Sequence, residues 1–167
     1  MAETAMSEED AGSRGRFATR VTAVAREGFS HATDVRVRFA ETDAQGIAHN
    51  AAYLVWYEVA RVDYLARFTG GYNRIRGQGI EALTTETHVR YLGAVRFDDL
   101  LRINVRCGDL RGARFRFDYV LERVTADGTE TVADGWTLHA TVDRDTLRPT
   151  RLPGWLREAI EAAETPA

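Results

Sequence analysis

The chain has no lysine: all 22 of its basic residues are arginine. That excludes Schiff-base chemistry and a P-loop lysine, so a bound phosphate must meet arginine or backbone N–H groups. One cysteine, Cys107, can form neither an internal disulfide nor a cysteine zinc site, which fits a reducing compartment. No run of 18 apolar residues occurs, which excludes a spanning helix. The first ten residues are acidic where a secretory signal would be basic, and a cytoplasmic location is expected. Charge of one sign is lacking too: 22 basic against 25 acidic residues leave a net of -3, which argues against a nucleic-acid partner. The motifs G-x-S-x-G, H-E-x-x-H, C-x-x-C, G-x-G-x-x-G and the P-loop are all absent. His31, His49, His88 and His139 lie in unrelated segments without metal-ligand spacing, so no metal site is expected.

What is present reads as one globular domain. A length of 167 residues, 44% of them apolar, suffices for a core without staples. Residues 1–30 form an extension rich in Ala, Glu, Ser, Gly and Arg, with Phe17, Val21 and Val24 at the spacing of a short helix. The domain then occupies residues 31–167. Val35, Val37 and Phe39 alternate with polar neighbours, which predicts a half-buried strand over Val35–Glu41. A turn over Thr42–Asn50 leads into a helix over Ala51–Phe68, stopped by Thr69-Gly70-Gly71.

That helix carries apolar residues almost all the way round, so it must be buried on most sides. Its polar residues fall at ion-pair spacing, Glu58 with Arg61 and Asp63 with Arg67. A loop over Gly70–Gly79 precedes a strand pattern over 81–95. Two further strands follow, with Leu101, Ile103, Val105 and Cys107 on one apolar face and Phe115, Phe117, Tyr119 and Leu121 on the next. Asp127-Gly128 signals a hairpin. Val132, Asp134, Trp136, Leu138, Ala140 and Val142 then alternate with Thr and His, and a short amphipathic helix runs from Pro153 to Ala163. The expected architecture is α+β: a curved antiparallel five-stranded sheet wrapped round one long helix, apolar faces inward and arginines outward, with a short C-terminal helix.

The segment Glu41–Asn50 carries the chemical interest. It sets a carboxylate, Asp43, in a strand-to-helix turn, then Gly46, then His49-Asn50 at the start of the buried helix. A helix N-terminus offers unpaired N–H groups that stabilise a developing oxyanion, and a nearby carboxylate can attack a carbonyl or activate water. The competing reading is structural, with Asp43 bracing the turn and Asn50 capping the helix.

The stretch Arg38-Phe39-Ala40-Glu41-Thr42-Asp43-Ala44-Gln45-Gly46-Ile47-Ala48-His49-Asn50-Ala51-Ala52-Tyr53, continuing as Tyr57-Glu58-Val59-Ala60-Arg61, resembles the signature of hotdog-fold acyl-CoA thioesterases of the 4-hydroxybenzoyl-CoA thioesterase type. His88-Val89-Arg90-Tyr91-Leu92, Ala94–Leu100 and Leu147–Pro153 agree with it, and the similarity spans about residues 34–162. The resemblance implies a hotdog fold and hydrolysis of an acyl-CoA or acyl-carrier-protein thioester. Asp43 would be nucleophile or general base, and the Asn50 backbone amide would polarise the carbonyl. Gly46 would permit close approach of the chain to substrate, with His49 as a pocket wall or hydrogen-bond donor. Tyr53 and Glu58 match family positions, Glu58 being also a helix-bracing partner for Arg61. Arg90, Arg111, Arg114 and Arg148 are candidate substrate contacts, the last three for coenzyme A phosphates. No cofactor is implied beyond the coenzyme A of the substrate, no nucleic acid and no membrane insertion. The resemblance further implies a homodimer or homotetramer with sites across the interface. A non-catalytic acyl-CoA-binding hotdog module and a hotdog dehydratase or hydratase are the alternatives. Trp56, Tyr57, Tyr53 and Tyr91 either line an acyl pocket or fill the core, and Cys107 reads as core filler.

Overall fold

Alternating apolar and polar residues build five antiparallel strands, and one long apolar run builds the helix they enclose. A computed structural model describes residues 25–165; the helix expected around Phe17–Val24 lies outside them. The order is β1 (His31–Arg36), a single 3₁₀ turn (Phe39–Glu41), α1 (Ala52–Thr69), α2 (Tyr72–Gly77), β2 (Ile80–Tyr91), β3 (Leu100–Arg111), β4 (Arg114–Thr125), β5 (Gly128–Asp143) and α3 (Gly154–Glu164). The sheet order is β1-β3-β4-β5-β2, every neighbour antiparallel. The short β1 and the twelve-residue β2 are therefore its edges. The β4–β5 hairpin closes with Thr125 opposite Gly128, one residue earlier than the Asp-Gly signal alone suggests.

α1 lies across the concave face of the sheet. Its buried side is aromatic: Tyr53, Trp56, Tyr57 and Tyr64 meet Ile103, Val105, Phe117, Tyr119 and Leu121 from β3 and β4. Tyr57 stacks flat on Tyr119, with ring centroids 4.1 Å apart and planes at 5°. Gly70 ends the helix in the left-handed conformation at φ 84°, which a side chain would resist. The stop signal read at Thr69–Gly71 is thus the real one.

Five expectations need correction. The first strand is shifted: β1 begins at His31 and ends at Arg36, because the Val37 N–H leaves the sheet direction to bond the Asp99 carbonyl at 2.9 Å. Phe39 sits in the 3₁₀ turn, 76% exposed. The Gly70–Gly79 loop contains α2, and the strand expected over 81–95 ends at Tyr91. The helix pairs do not form, for no ion pair joins Glu58 to Arg61 or Asp63 to Arg67. Instead the Asp63 carboxylate accepts hydrogen bonds from Thr33 Oγ1 (2.6 Å) and His31 Nε2 (3.0 Å) on β1.

The fifth correction concerns β5, whose helix-facing side is the reverse of the expected one. Ala133, Thr137, His139 and Thr141 are buried there, while Trp136, Leu138 and Ala140 lie half-buried on the far side. The core tolerates these polar groups because they satisfy one another. Tyr119 OH pairs with Thr137 Oγ1 at 3.0 Å, and Thr137 Oγ1 with His139 Nε2 at 2.8 Å. Thr141 Oγ1 donates to the Thr150 carbonyl at 2.6 Å. On the far face Arg116 covers the Trp136 ring.

Burial, helped by the positive charge of Arg61, lowers the His139 pKa to about 3, so the native state holds it neutral. An unfolded histidine binds its proton near pH 6.5. Stability from this group is therefore complete above about pH 6.5 and falls as pH drops from there towards 3. Urea unfolding across that range should show about one extra proton taken up, and His139→Gln should remove that dependence. The Tyr57 hydroxyl is the one buried side-chain polar atom among the described residues without a hydrogen-bond partner. Tyr57→Phe should leave stability unchanged or raise it by up to about 1 kcal/mol in thermal melts. Gly135→Ala, whose Cβ would run into both that hydroxyl and the His88 carbonyl, should cost roughly 1–3 kcal/mol or more.

Candidate active site

The loop between β1 and α1 is a small hairpin. Thr42 and Ala48 form a bridge, the Asp43 N–H donates to the Ile47 carbonyl (2.9 Å), and the Gly46 N–H donates back to the Asp43 carbonyl (3.0 Å). Gly46 closes the turn at φ 73°, where glycine has no steric penalty. This explains Asp-x-x-Gly locally, since Asp43 opens the turn and its Oδ1 accepts the Gln45 N–H at 2.8 Å. Gly46 itself is exposed at the tip. Its role in the structure is conformational.

Glu41 anchors this hairpin from below. Its carboxylate accepts the Arg38 backbone N–H (2.8 Å), the Arg38 guanidinium (2.7 Å) and Trp56 Nε1 (3.1 Å). Its carbonyl accepts the His49 N–H at 2.8 Å. Burial alone would raise the Glu41 pKa; the hydrogen bonds from Arg38 and Trp56 outweigh it and hold the carboxyl below its ordinary value. The Ala48 N–H ties the other arm to the Val95 carbonyl at 2.7 Å.

A cleft of about 540 Å³ opens beside this hairpin, lined by Asp43, His49, Asn50, Tyr53, Tyr91 and Val95 among others. Asp43 is half-buried and makes no ion pair with any described cation; beyond Gln45 its carboxylate has no hydrogen-bond partner among the described residues. The Asn50 N–H and side chain likewise have none. Asn50 does not cap α1: His49 does part of that work, its Nδ1 accepting the Ala51 N–H at 3.1 Å while its carbonyl accepts the Ala52 N–H at 2.9 Å. That bond leaves Nε2 to carry the proton of a neutral ring. Tyr53 packs edge-on to Tyr91 at 4.8 Å, and Tyr91 OH donates to the Asn50 carbonyl at 3.1 Å. Of the four candidate pocket aromatics, Tyr53 and Tyr91 thus line the cleft, while Trp56 and Tyr57 fill the core.

The other candidates lie elsewhere in the chain. Arg90 projects from the exposed face of the sheet and pairs with Asp134, because alternation along β2 turns it away from the side that carries Tyr91. Glu58 lies two turns along α1, exposed at the mouth of a second cavity. Arg111, Arg114 and Arg148 sit at the opposite end of the sheet, where Arg114 faces Ala140 and the Arg148 carbonyl bonds Asp143. Arg114 stands level with Leu83 through Ala140, and Arg148 level with Ile80 through Asp143, so roughly 26–36 Å of β2, at ~3.3 Å per residue, separates that end from Tyr91. The histidines keep to separate tasks, and no group of three or more His, Cys, Asp or Glu among the described residues could hold a metal ion. Cys107 is buried, its thiol pushed well up by burial and by the neighbouring carboxylates Glu164 and Asp118, as a core filler should be. The anchoring carboxylate of Glu41 is the residue that reading by pattern passes over. Its only trace in the sequence is its place three residues after Arg38 in a turn.

Residues 37–160 match the model of the thioesterase-like superfamily. The chain belongs to the thioesterase-like superfamily. It is 29% identical to acyl-CoA thioesterase YbgC of Haemophilus influenzae over 134 residues, covering 80% of this chain and 94% of that one. It is 30% identical to 1,4-dihydroxy-2-naphthoyl-CoA hydrolase of Thermosynechococcus vestitus over 132 residues, covering 76% and 88%. Among solved structures, protein TT1821 of Thermus thermophilus superposes with a TM-score of 0.72 at 29% identity, covering 79% and 98%. The architecture is the hotdog fold of these thioesterases, with one five-stranded curved sheet round a long helix and a short helix at the C-terminus.

Within this superfamily member, the Glu41 anchor makes a stability prediction. Glu41→Gln should cost about 1–3 kcal/mol by removing a charge-assisted acceptor. Because the native Glu41 pKa lies below its unfolded value, its contribution is present above about pH 4.5 and lost as pH falls through the native pKa. Denaturant melts at pH 7 and pH 3 should therefore differ more for the wild type than for the variant.

Proposed function

We propose that this superfamily member hydrolyses an acyl-CoA thioester to the free acid and thiol, with Asp43 as the reacting carboxylate. The observation that carries the reading is an Asp43 carboxylate unpaired by any described cation, on the wall of a cleft that also holds the unbonded N–H of Asn50. The thioester carbonyl accepts that N–H, and the start of α1 favours the negative charge that develops on its oxygen. Asp43 then either adds to the carbonyl carbon, expelling the thiolate and leaving an anhydride that water opens, or takes a proton from water that adds directly. Both routes consume one water and release one acid and one thiol. A thioester is activated enough for one carboxylate and one preorganised donor to suffice, and the reading calls for no cofactor beyond substrate coenzyme A.

The same reading includes a homodimer. Leu54, Val55, Val59 and Val62 form a stripe on α1 left 39–48% exposed, and Leu83 on the adjoining β2 is 43% exposed. A contiguous apolar strip beside a long unpaired edge strand favours a partner. Antiparallel pairing of two β2 edges, with α1 helices side by side, covers both features. It also brings the far end of one subunit towards the cleft of the other, so that Arg111, Arg114 and Arg148 can serve the coenzyme A phosphates there.

Thiol release from a panel of acyl-CoAs tests the chemistry. Asp43→Asn should lower kcat by roughly 10²–10⁴-fold with an unchanged melting temperature. Unaltered turnover, or a collapsed fold, would return Asp43 to a purely structural role. Val59→Asp should shift sedimentation from dimer to monomer and lower activity with it.

A further inference from the structure

A second cavity, of about 290 Å³, lies between the middle of α1, α2, α3 and strands β2, β4 and β5. Its floor is apolar and buried, with Ile75, Phe115, Phe117 and Ile160, while Glu58, Val62, Leu83 and Thr84 stand exposed at its mouth. One positive group faces it. Arg61 is half-buried and forms no ion pair with any described carboxylate, although Glu58 lies one turn away on the same helix. Beside it His139 is 1% exposed, its Nε2 bonded to Thr137 and its Nδ1 3.4 Å from Thr84 Oγ1. Burial and the Arg61 charge keep that ring neutral, so the cation is not shared. Its near contact is the uncharged Tyr119 hydroxyl, so the half-buried guanidinium has no counter-ion at the cavity among the described residues, and an anion bound there would complete the pair.

We propose that this cavity takes a carboxylate carried on a short apolar body, with Arg61 as its counter-ion. At about 30 Å³ for each water-sized group the volume admits roughly ten non-hydrogen atoms, the size of an eight-carbon acid. The carboxylate has two possible sources, a free acid or the far end of a dicarboxylic acyl group on a bound thioester. Only the second source rests on the thioesterase reading, because it needs a bound thioester.

Two measurements separate the sources. Calorimetric titration compares octanoate with 1-octanol, and steady-state kinetics compare suberyl-CoA with octanoyl-CoA, which differs in lacking the terminal carboxylate. A free-acid site predicts octanoate binding at least tenfold tighter than octanol. An acyl subsite predicts kcat/KM at least tenfold higher for suberyl-CoA. In either case Arg61→Gln should abolish the preference while Arg61→Lys retains part of it. No preference for charge in either arm, or a preference that survives Arg61→Gln, overturns the proposal. If neither thioester is hydrolysed, the thioesterase reading fails and the octanoate arm still decides this one. Should Arg61→Gln fail to fold, the wild-type comparison still decides the charge dependence and a crystal soaked in octanoate decides the position.

Discussion

One long helix, apolar round most of its circumference, has only one sheet to bury it. That constraint organises the molecule. Eighteen residues at 1.5 Å each make α1 about 27 Å long, close to the width the curved strands can cover. The side that turns inward is the aromatic one, where each large side chain gains roughly 1.5–3 kcal/mol on burial; the aliphatic side, Leu54, Val55, Val59 and Val62, stays outside. The packing of Trp56, Tyr57 and Tyr64 thus fixes both the direction in which the helix N-terminus points and the face left bare. The first determines where the cleft lies. The second is the face on which the homodimer is proposed.

Much of this arrangement is written in side-chain periodicity. β3 and β4 carry their apolar residues at alternate positions, Leu101 to Cys107 and Phe115 to Leu121, and both inward faces are the expected ones, although Asn104 is buried as well on the other face. The helix limits follow from a polar turn before it and a pair of glycines after it. β5 defeats the same logic because its inward residues are polar. Thr137 and His139 enter the core only as members of a hydrogen-bonded set with Tyr119, and a period-two count of apolar residues cannot see a partner on another strand. Phe39 misleads in the opposite way, an aromatic at the right parity that lies beyond the end of the strand. Ion pairs read from helical spacing fail for a similar reason. Asp63 is turned to Thr33 and His31 across the fold, not to Arg67 along the helix.

The site was legible in part, and the boundary is physical. Asp43, His49, Asn50 and Tyr53 are close in sequence and share one turn, so spacing alone brings them to one cleft. Arg90, Arg111, Arg114 and Arg148 are joined to it only through the sheet, whose length carries three of them to its far end. Strand parity turns the fourth outward. No count of residues between two segments reveals that distance; it follows from strand order.

Arginine is the only basic side chain here besides histidine, and where it goes bears on the chemistry. The sheet's outward face absorbs much of it in pairs with acids: Arg102 with Asp34, Arg106 and Arg116 with Asp118, Arg90 with Asp134, Arg123 with Glu130. Near the cleft, Arg38 is bound to Glu41 by two charge-assisted contacts, which keeps it off the other carboxylate of the same loop. An arginine against Asp43 would occupy the oxygen that a carbonyl carbon or a water must reach. The Glu41–Arg38 pair therefore acts twice on the turn, bracing its base through Trp56 and holding the Arg38 guanidinium on Glu41, away from Asp43, the carboxylate proposed to react. The segment Arg38–Asp43 carries two acids for one arginine, and the arrangement of hydrogen bonds decides which acid is left over.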